Sequence, residues 1–308
     1  MINFCVLIKV IHIRIKELLL QKIRIMNYNK LKFALSTLLI LMVSVVSAQS
    51  FEKAKAEKAA ELNVYYFENA PYAYKNDKGV LVGIEVDIMK SFVNWLKKEK
   101  EIELKLNFAP FNEFNMFYNE MKTATVNTIG LGSVTITDAR LEEVKFSAPY
   151  LRNVAVLVTD GAVPTARNEE DLKNEVLSLA PVTIKGSIHQ THLDALYKKE
   201  DINREYTYVS DAIEIPMKIK ESAKYYGYVD VISFWMYLKS NNGHYIKMHS
   251  IANKTEEYFG FVMPKATDWD VAISEFFESG FGFTATKEYH NILEKHLSFE
   301  IINKVELD

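Results

Sequence analysis

The chain has 308 residues, 49% of them apolar, with 37 Lys/Arg against 40 Asp/Glu and a single cysteine, Cys5. That length exceeds one average domain and can bury a large core. A slight acidic excess with dispersed lysines speaks against a nucleic-acid partner, and one cysteine excludes an intrachain disulfide or a thiolate metal cluster.

The first 48 residues differ from the rest. Met26 to Ala48 joins a basic segment holding Lys30 and Lys32, an apolar run from Phe33 to Val46 and the small-residue sequence Val46-Ser47-Ala48. This fits a cleaved secretory signal peptide, with the mature chain starting at Gln49. The run is short for a membrane span, which needs roughly 20 residues. Residues 1–25 are basic and apolar and read as an extension upstream of a start at Met26, Met1 being the alternative start. The expected location is periplasmic. Cys5 lies in the discarded part, and no cysteine follows the apolar run to carry a lipid anchor. Taking the seven basic residues and one acid of residues 1–48 from the totals of 37 and 40 leaves 30 basic and 39 acidic residues, a formal charge of −9.

From there the chain alternates strand and helix signals. Leu62 to Phe67 reads as a strand, followed by a loop with Asn69, Pro71 and Tyr72. A turn cluster from Tyr74 to Gly79 leads into Gly83-Ile84-Glu85-Val86-Asp87-Ile88, where Asp87 is expected to cap a helix whose apolar positions are Ile88, Met89, Phe92, Trp95 and Leu96. Glu85 and Asp87 could also be read as a catalytic carboxylate pair, but capping accounts for the aspartate. Glu101 to Ala109 alternates as a second strand, and Phe111 to Lys122 is expected to be a helix with Phe114, Phe117 and Met121 inward. The β-α-β-α-β order predicts an open α/β sheet, with a ligand outside the carboxyl ends of its strands.

The stretch Gly132 to Tyr150, GSVTITDARLEEVKFSAPY, follows an apolar strand from Val126 to Leu131 and contains a helix from Asp138 to Val144 with Thr137 as N-cap. Helical side chains tilt toward the N-terminus, so Arg140 can swing over the turn carrying Gly132, Ser133 and Thr135. Guanidinium, hydroxyls and open helix amides would together clamp a carboxylate. A surface Arg140 paired with Glu142 or Glu143 is the competing reading.

A second set of elements follows the apolar run Val154 to Thr159 and a loop with Gly161 and Pro164. Helices are expected at Glu170 to Glu175, Ser187 to Lys199 and Ser210 to Lys220, and strands at Val182 to Lys185, Tyr206 to Val209 and Tyr226 to Val231. Gly186-Ser187-Ile188-His189 forms a strand-to-helix turn with open amides, a second ligand site facing the first. His189 and His192 are three apart and could be a metal pair, but with no third ligand in view they read as solvated helix histidines, and no metal or cofactor is expected. Tyr258 to Lys265 returns as a strand before helices at Asp268 to Ser279 and Thr286 to His296.

The motif Thr135-Ile136-Thr137-Asp138-Ala139-Arg140, the following Phe146-Ser147-Ala148-Pro149-Tyr150 and the Gly83 to Ile88 pattern resemble the family-three extracellular solute-binding proteins of ABC importers. The resemblance covers about residues 61–298. It implies an α/β, two-lobed, type II periplasmic-binding-protein-like fold with the ligand cleft between lobes. Lobe one would be 61–156 plus 258–308, lobe two 157–257, and closure would bend the crossings near 157–160 and 252–258. It assigns Arg140 to the ligand carboxylate and the Ser187 turn to contacts from lobe two. The family's ammonium-pairing aspartate, placed five residues after Asp230, falls on Trp235, which would leave that charge missing, with Glu68 or Asp211 as possible substitutes. Where the family stacks an aromatic on the ligand, this sequence has Asn69, with Tyr66, Tyr72 and Phe111 nearby as either core or ligand contacts. Trp235 could wall the site.

The expected function is a non-enzymatic monomer that closes on a small carboxylate-bearing solute and docks on an ABC permease in the inner membrane, or on a membrane sensor. A same-fold enzyme of the cyclohexadienyl dehydratase type, with Glu68 or Glu214 as acid, is the alternative.

Overall fold

In the computed structural model the described residues are 50–240 and 245–307. The signal-peptide reading and Cys5 lie outside them. Helix α1 (Phe51–Glu57) starts on Ser50, whose hydroxyl accepts from the Lys53 amide, while Asp268 accepts from the Phe51 and Glu52 amides. Then follow β1 (Ala59–Phe67), the short strands β2 (Tyr74–Lys75) and β3 (Leu81–Val82), α2 (Ile84–Trp95), β4 (Glu103–Phe111), α3 (Phe114–Thr123), β5 (Thr128–Thr135), α4 (Asp138–Glu143), β6 (Lys145–Phe146) and β7 (Leu151–Asp160). The chain continues through α5 (Glu169–Asp171), β8 (Ala180–Ile184), α6 (Ile188–Glu200), β9 (Thr207–Val209), α7 (Glu214–Glu221), β10 (Tyr225–Asp230), α8 (Val231–Ser240), β11 (Ile246–Met248), β12 (Lys254–Met263), α9 (Trp269–Glu278), α10 (Lys287–His296) and α11 (Phe299–Val305).

The main sheet runs β4-β1-β5-β12-β7-β10-β8-β9. β4, β1 and β5 are parallel to one another, as are β10, β8 and β9, while β12 and β7 run antiparallel between the two triplets. Each crossing strand changes partner halfway. β7 pairs with β12 over Leu151–Ala155 and with β10 over Ala155–Thr159, and β12 pairs with β7 up to Phe259 and with β5 from Phe259 to Val262. This is the α/β, periplasmic-binding-protein-like architecture that the strand and helix alternation predicts.

Several boundaries differ from the sequence reading. Asp87 does not cap α2: the helix begins a turn earlier, after Gly83, whose φ of +134° suits glycine and where a Cβ would lie 2.1 Å from the Tyr72 carbonyl oxygen. Asp87 instead accepts from Lys90 (2.9 Å), Lys295 (2.6 Å) and His296 (2.8 Å), tying α2 to α10. Burial pushes its carboxyl up, but these donors outweigh burial and hold it well below the usual range. β4 runs on to Phe111 because Pro110 and Phe111 stay in register with Tyr66 and Phe67, so α3 starts only at Phe114. β5 extends through Gly132 to Thr135, and α7 starts at Glu214, after a turn in which Asp211 accepts from the Ile213 amide. α1 and α11 carry no predicted counterpart. Among the described residues no helix is long and apolar enough to cross a membrane.

An aromatic cluster holds α2, α9 and α10 together on one side of the sheet. Phe276 packs on Phe283 (4.4 Å between centroids), Phe277 (5.3 Å), Phe92 (5.5 Å) and Trp95 (5.9 Å). Truncating such a residue removes buried area and leaves a cavity. Phe276→Ala should therefore cost about 3–5 kcal/mol, seen as a lower denaturant midpoint. Neither Phe276 nor these four ring partners lines the cavity described below, so ligand affinity measured below the transition should stay within about twofold.

Candidate functional site

The clamp loop is built on Glu85. This side chain is fully buried, and its Oε1 accepts from the amides of Gly132 (3.2 Å) and Ser133 (3.1 Å) and from the Tyr150 hydroxyl (2.6 Å). Ser133 sits at φ +45°, a left-handed conformation that a non-glycine residue keeps only when its surroundings impose it. Asn69 reinforces the loop by donating Nδ2 to Ser133 Oγ (3.1 Å), and Ser133 Oγ donates to the Gly132 carbonyl (2.8 Å). Burial pushes the Glu85 carboxyl up to about 7 against the lowering effect of its three donors.

Arg140 occupies the first turn of α4, capped by Thr137, whose Oγ1 accepts from its amide (3.2 Å). Its guanidinium is 9% exposed, donates to the Thr135 carbonyl (2.9 Å) and, at the limit of a hydrogen bond, to the Gly186 carbonyl (3.5 Å), and lies over the Phe114 and Tyr118 rings (5.4 and 5.1 Å). Glu143 binds the Tyr118 hydroxyl and Lys122, so the surface-pair reading of Arg140 does not hold. Burial lowers the guanidinium's proton affinity. No described carboxylate lies within ion-pair distance of it, leaving a buried cation with donors to offer to an anion.

The facing wall comes from the other parallel triplet. After β8, Gly186 turns at φ +75° and Ser187 caps α6, accepting from the Gln190 amide (3.3 Å) while donating to the Ile184 carbonyl (2.8 Å). At the carboxyl end of β10, Asp230 Oδ1 accepts from Asn153 Nδ2 (2.7 Å), which also donates to Glu257 Oε2 (2.7 Å). Glu257 in turn binds His192. His189 Nε2 lies 3.4 Å from Asp230 Oδ1. The two histidines are thus buried or half-buried, each against its own acid, rather than solvated or paired on a metal. Among the described residues no group of three His, Cys, Asp or Glu suits a metal ion.

A cavity of about 40 Å³ lies where these walls meet, room for a few waters or a small polar group. It brings together Asn69, Gly132, Ser133, Thr135, Arg140, Ser187 and Ile188 from the sequence reading. It adds Phe67, Phe114, Ile184, His189, Ala212, Asp230 and Phe259. Four expected contacts do not line it. Tyr66 points to the opposite face of β1 from Phe67 and packs against Phe108, because side chains alternate along a strand. Tyr72 is buried against Phe259, and Phe111 packs on Tyr65 and Phe117. Trp235 lies a full turn into α8, against the core and under Lys239. The acid that lines the cavity is Asp230, the last residue of β10, and neither Glu68 nor Asp211 does. The signal available in the sequence is the end of an apolar strand, where an α/β sheet presents its ligand residues.

The family model for bacterial extracellular solute-binding proteins, family 3, matches residues 62–297. The chain belongs to this family. Solved structures share the fold of this solute-binding protein. A substrate-binding protein of an ABC uptake transporter from Streptococcus pneumoniae, with bound histidine, has a TM-score of 0.62 at 18% identity, over 81% of this chain and 96% of that one. An ancestral arginine-binding protein bound to arginine gives 0.61 at 20% identity, over 77% and 97%. An ancestral amino-acid-binding protein, a precursor of cyclohexadienyl dehydratase, gives 0.58 at 16%, over 77% and 95%. No curated protein matches the sequence.

Glu85 yields a pH test of the solute-binding protein's clamp loop. Its folded-state value of about 7 exceeds the ordinary 4.5, so the native state binds more protons between those pH values and stability declines as pH rises through that window. Glu85→Gln keeps an acceptor oxygen and removes the titration. Its melting temperature relative to the parent should rise between pH 5 and pH 8, by the equivalent of roughly 1–3 kcal/mol. A parallel pH dependence in the two proteins would show that Glu85 is ionised throughout.

Proposed function

We propose that the protein captures a compact α-amino acid and delivers it to an ABC permease from the periplasm. One observation carries this reading: a single cavity is lined by Arg140, a buried cation with no carboxylate partner among the described residues, and by Asp230, a buried anion. A carboxylate on Arg140 and an ammonium on Asp230 would satisfy both. Asn69 Oδ1, buried without a hydrogen-bond partner on the same lining, adds a second acceptor for the ammonium. Related folds solved with arginine or histidine bound support the same class of solute.

On this reading Arg140 and Asn69 belong to lobe one (61–156 and 258–308), Ser187 and Asp230 to lobe two (157–257), and the complete contact set exists only when the lobes are together. β7 and β12 would be the hinge, since they are the two strands between the triplets, β12 paired with β5 of the first, β7 with β10 of the second, and each with the other. Hinge closure around a ligand is the motion by which periplasmic binding proteins work, and a monomer suffices for it. The acids named for the dehydratase alternative lie elsewhere: Glu68 accepts from the Lys75 amide, Glu214 lies in the first turn of α7, and neither lines the cavity.

Thermal-shift and calorimetric screening of the purified protein against α-amino acids and their deamino and oxo analogues tests this. A ligand at about a hundred times its dissociation constant adds roughly 2.7 kcal/mol of stability. We expect α-amino acids alone to produce the shift, and Arg140→Ala and Asp230→Asn each to weaken binding by about 100-fold or more, as truncating one side of a buried charge contact does. Equal binding of the deamino analogues would remove the ammonium seat from Asp230.

A further inference from the structure

We propose that His189 is the specificity-determining residue of the site and that it selects α-amino acids with an uncharged polar side chain, a hydroxyl or a carboxamide. This deepens the amino-acid reading and rests on it. His189 is 4% exposed and lines the cavity with Arg140 and Asp230. Its Nε2 stands at ion-pair distance from Asp230 Oδ1 (3.4 Å), while its Nδ1 is buried with no hydrogen-bond partner. A buried imidazole with an unanswered nitrogen is costly unless something completes it. His192, three residues on, shows the contrast: its Nε2 is bonded to Glu257 by the fold itself.

The other polar groups around the cavity have partners or are called on by the ligand's main-chain charges, Thr135 beside Arg140 being assigned to the carboxylate. Asn69 Nδ2 is bonded to Ser133 Oγ, and Ser187 Oγ to the Ile184 carbonyl. Arg140 and Asp230 are taken by the carboxylate and ammonium of the ligand on the reading above. The remaining walls, Phe67, Phe114 and Phe259, are apolar. His189 is thus the group left to address the body of the ligand. The groups that act on its charge are Asp230, Glu257 and Arg140: burial disfavours the imidazolium, the two carboxylates favour it, and Arg140 opposes it, with a net rise in proton affinity. Facing Asp230, the ring is charge-matched already, so an ionised ligand side chain would be buried without a counter-charge. A hydroxyl or a carboxamide both donates and accepts, and so completes the ring in either protonation state.

The test is isothermal titration of the full chain with two near-isosteric pairs, threonine against valine and asparagine against leucine. The unmodified protein should bind the polar member of each pair about 10- to 100-fold more tightly, the range of a hydrogen bond to a charged or buried partner. His189→Leu should abolish the preference by weakening the polar member and strengthening the apolar one, and His189→Gln, which keeps a donor and an acceptor, should retain part of it. His189→Gln also serves if the leucine variant fails to fold. If both members of each pair bind equally and Arg140→Ala still abolishes binding, the amino-acid reading stands and the role of His189 falls. That role falls equally if the preference survives in His189→Leu. If no amino acid binds the unmodified protein, both readings fall together.

Discussion

The site depends on two strands that change partners in mid-course. Because β7 leaves β12 for β10 at Ala155, and β12 leaves β7 for β5 at Phe259, the two parallel triplets join without a break in the hydrogen-bonded sheet. Each triplet is a set of parallel strands with its ligand-bearing loops at the carboxyl ends. The crossing strands turn those ends toward each other, so that Phe67 to Asn69 and Gly132 to Thr135 face Ile184 to His189 and Asp230. The two walls are joined through one pair of strands, β12 on the edge of the first triplet and β7 on the edge of the second.

The same crossing carries the site's buried charge. Asn153 on β7 stands opposite Glu257 on β12 in the strand register, and its one amide nitrogen donates to both Glu257 and Asp230. Two carboxylates held together out of water repel each other and lose hydration, so they persist only with donors placed for them. Asn153 supplies one donor to each, and His192 and His189 stand on their outer sides. The acid that faces the cavity is thereby fixed by three strands rather than by a loop. Glu85 does the corresponding work in the first triplet, where one carboxylate oxygen holds two consecutive amides of the clamp turn and the Tyr150 hydroxyl.

The alternation of strands and helices, the Arg140 clamp and the Ser187 turn are legible in the sequence because each follows from local chemistry: period-two or helical apolar spacing, a cap, a glycine turn. What is not legible depends on which face of a strand points inward and on where a strand ends. The aromatic pair Tyr66 and Phe67 differs by one residue, and only the pleat decides that Phe67 meets the cavity while Tyr66 joins the core. Counting five residues past Asp230 leads to Trp235 on α8, whereas the residue that lines the cavity is Asp230 itself, the strand's last residue. Asp87 is a plausible cap by type and spacing, but its partners Lys295 and His296 lie more than 200 residues away in the chain and cannot enter a local reading.

These features set the energetics of the site against those of the scaffold. His189 and Asn69 present buried polar atoms that the protein's own groups do not satisfy, Arg140 adds a buried charge, and each carries a desolvation cost of about 1–3 kcal/mol. Against net stabilities of about 5–15 kcal/mol this is a substantial local burden, tolerable because the aromatic core on α2, α9 and α10 is built from rings that do not line the cavity. A solute that completes those atoms removes the cost in one step, so its binding energy and the stabilisation of the two walls in contact are the same quantity. On the proposed reading, that cost is what would let a small ligand, with few atoms to offer, favour a closed arrangement over an open one.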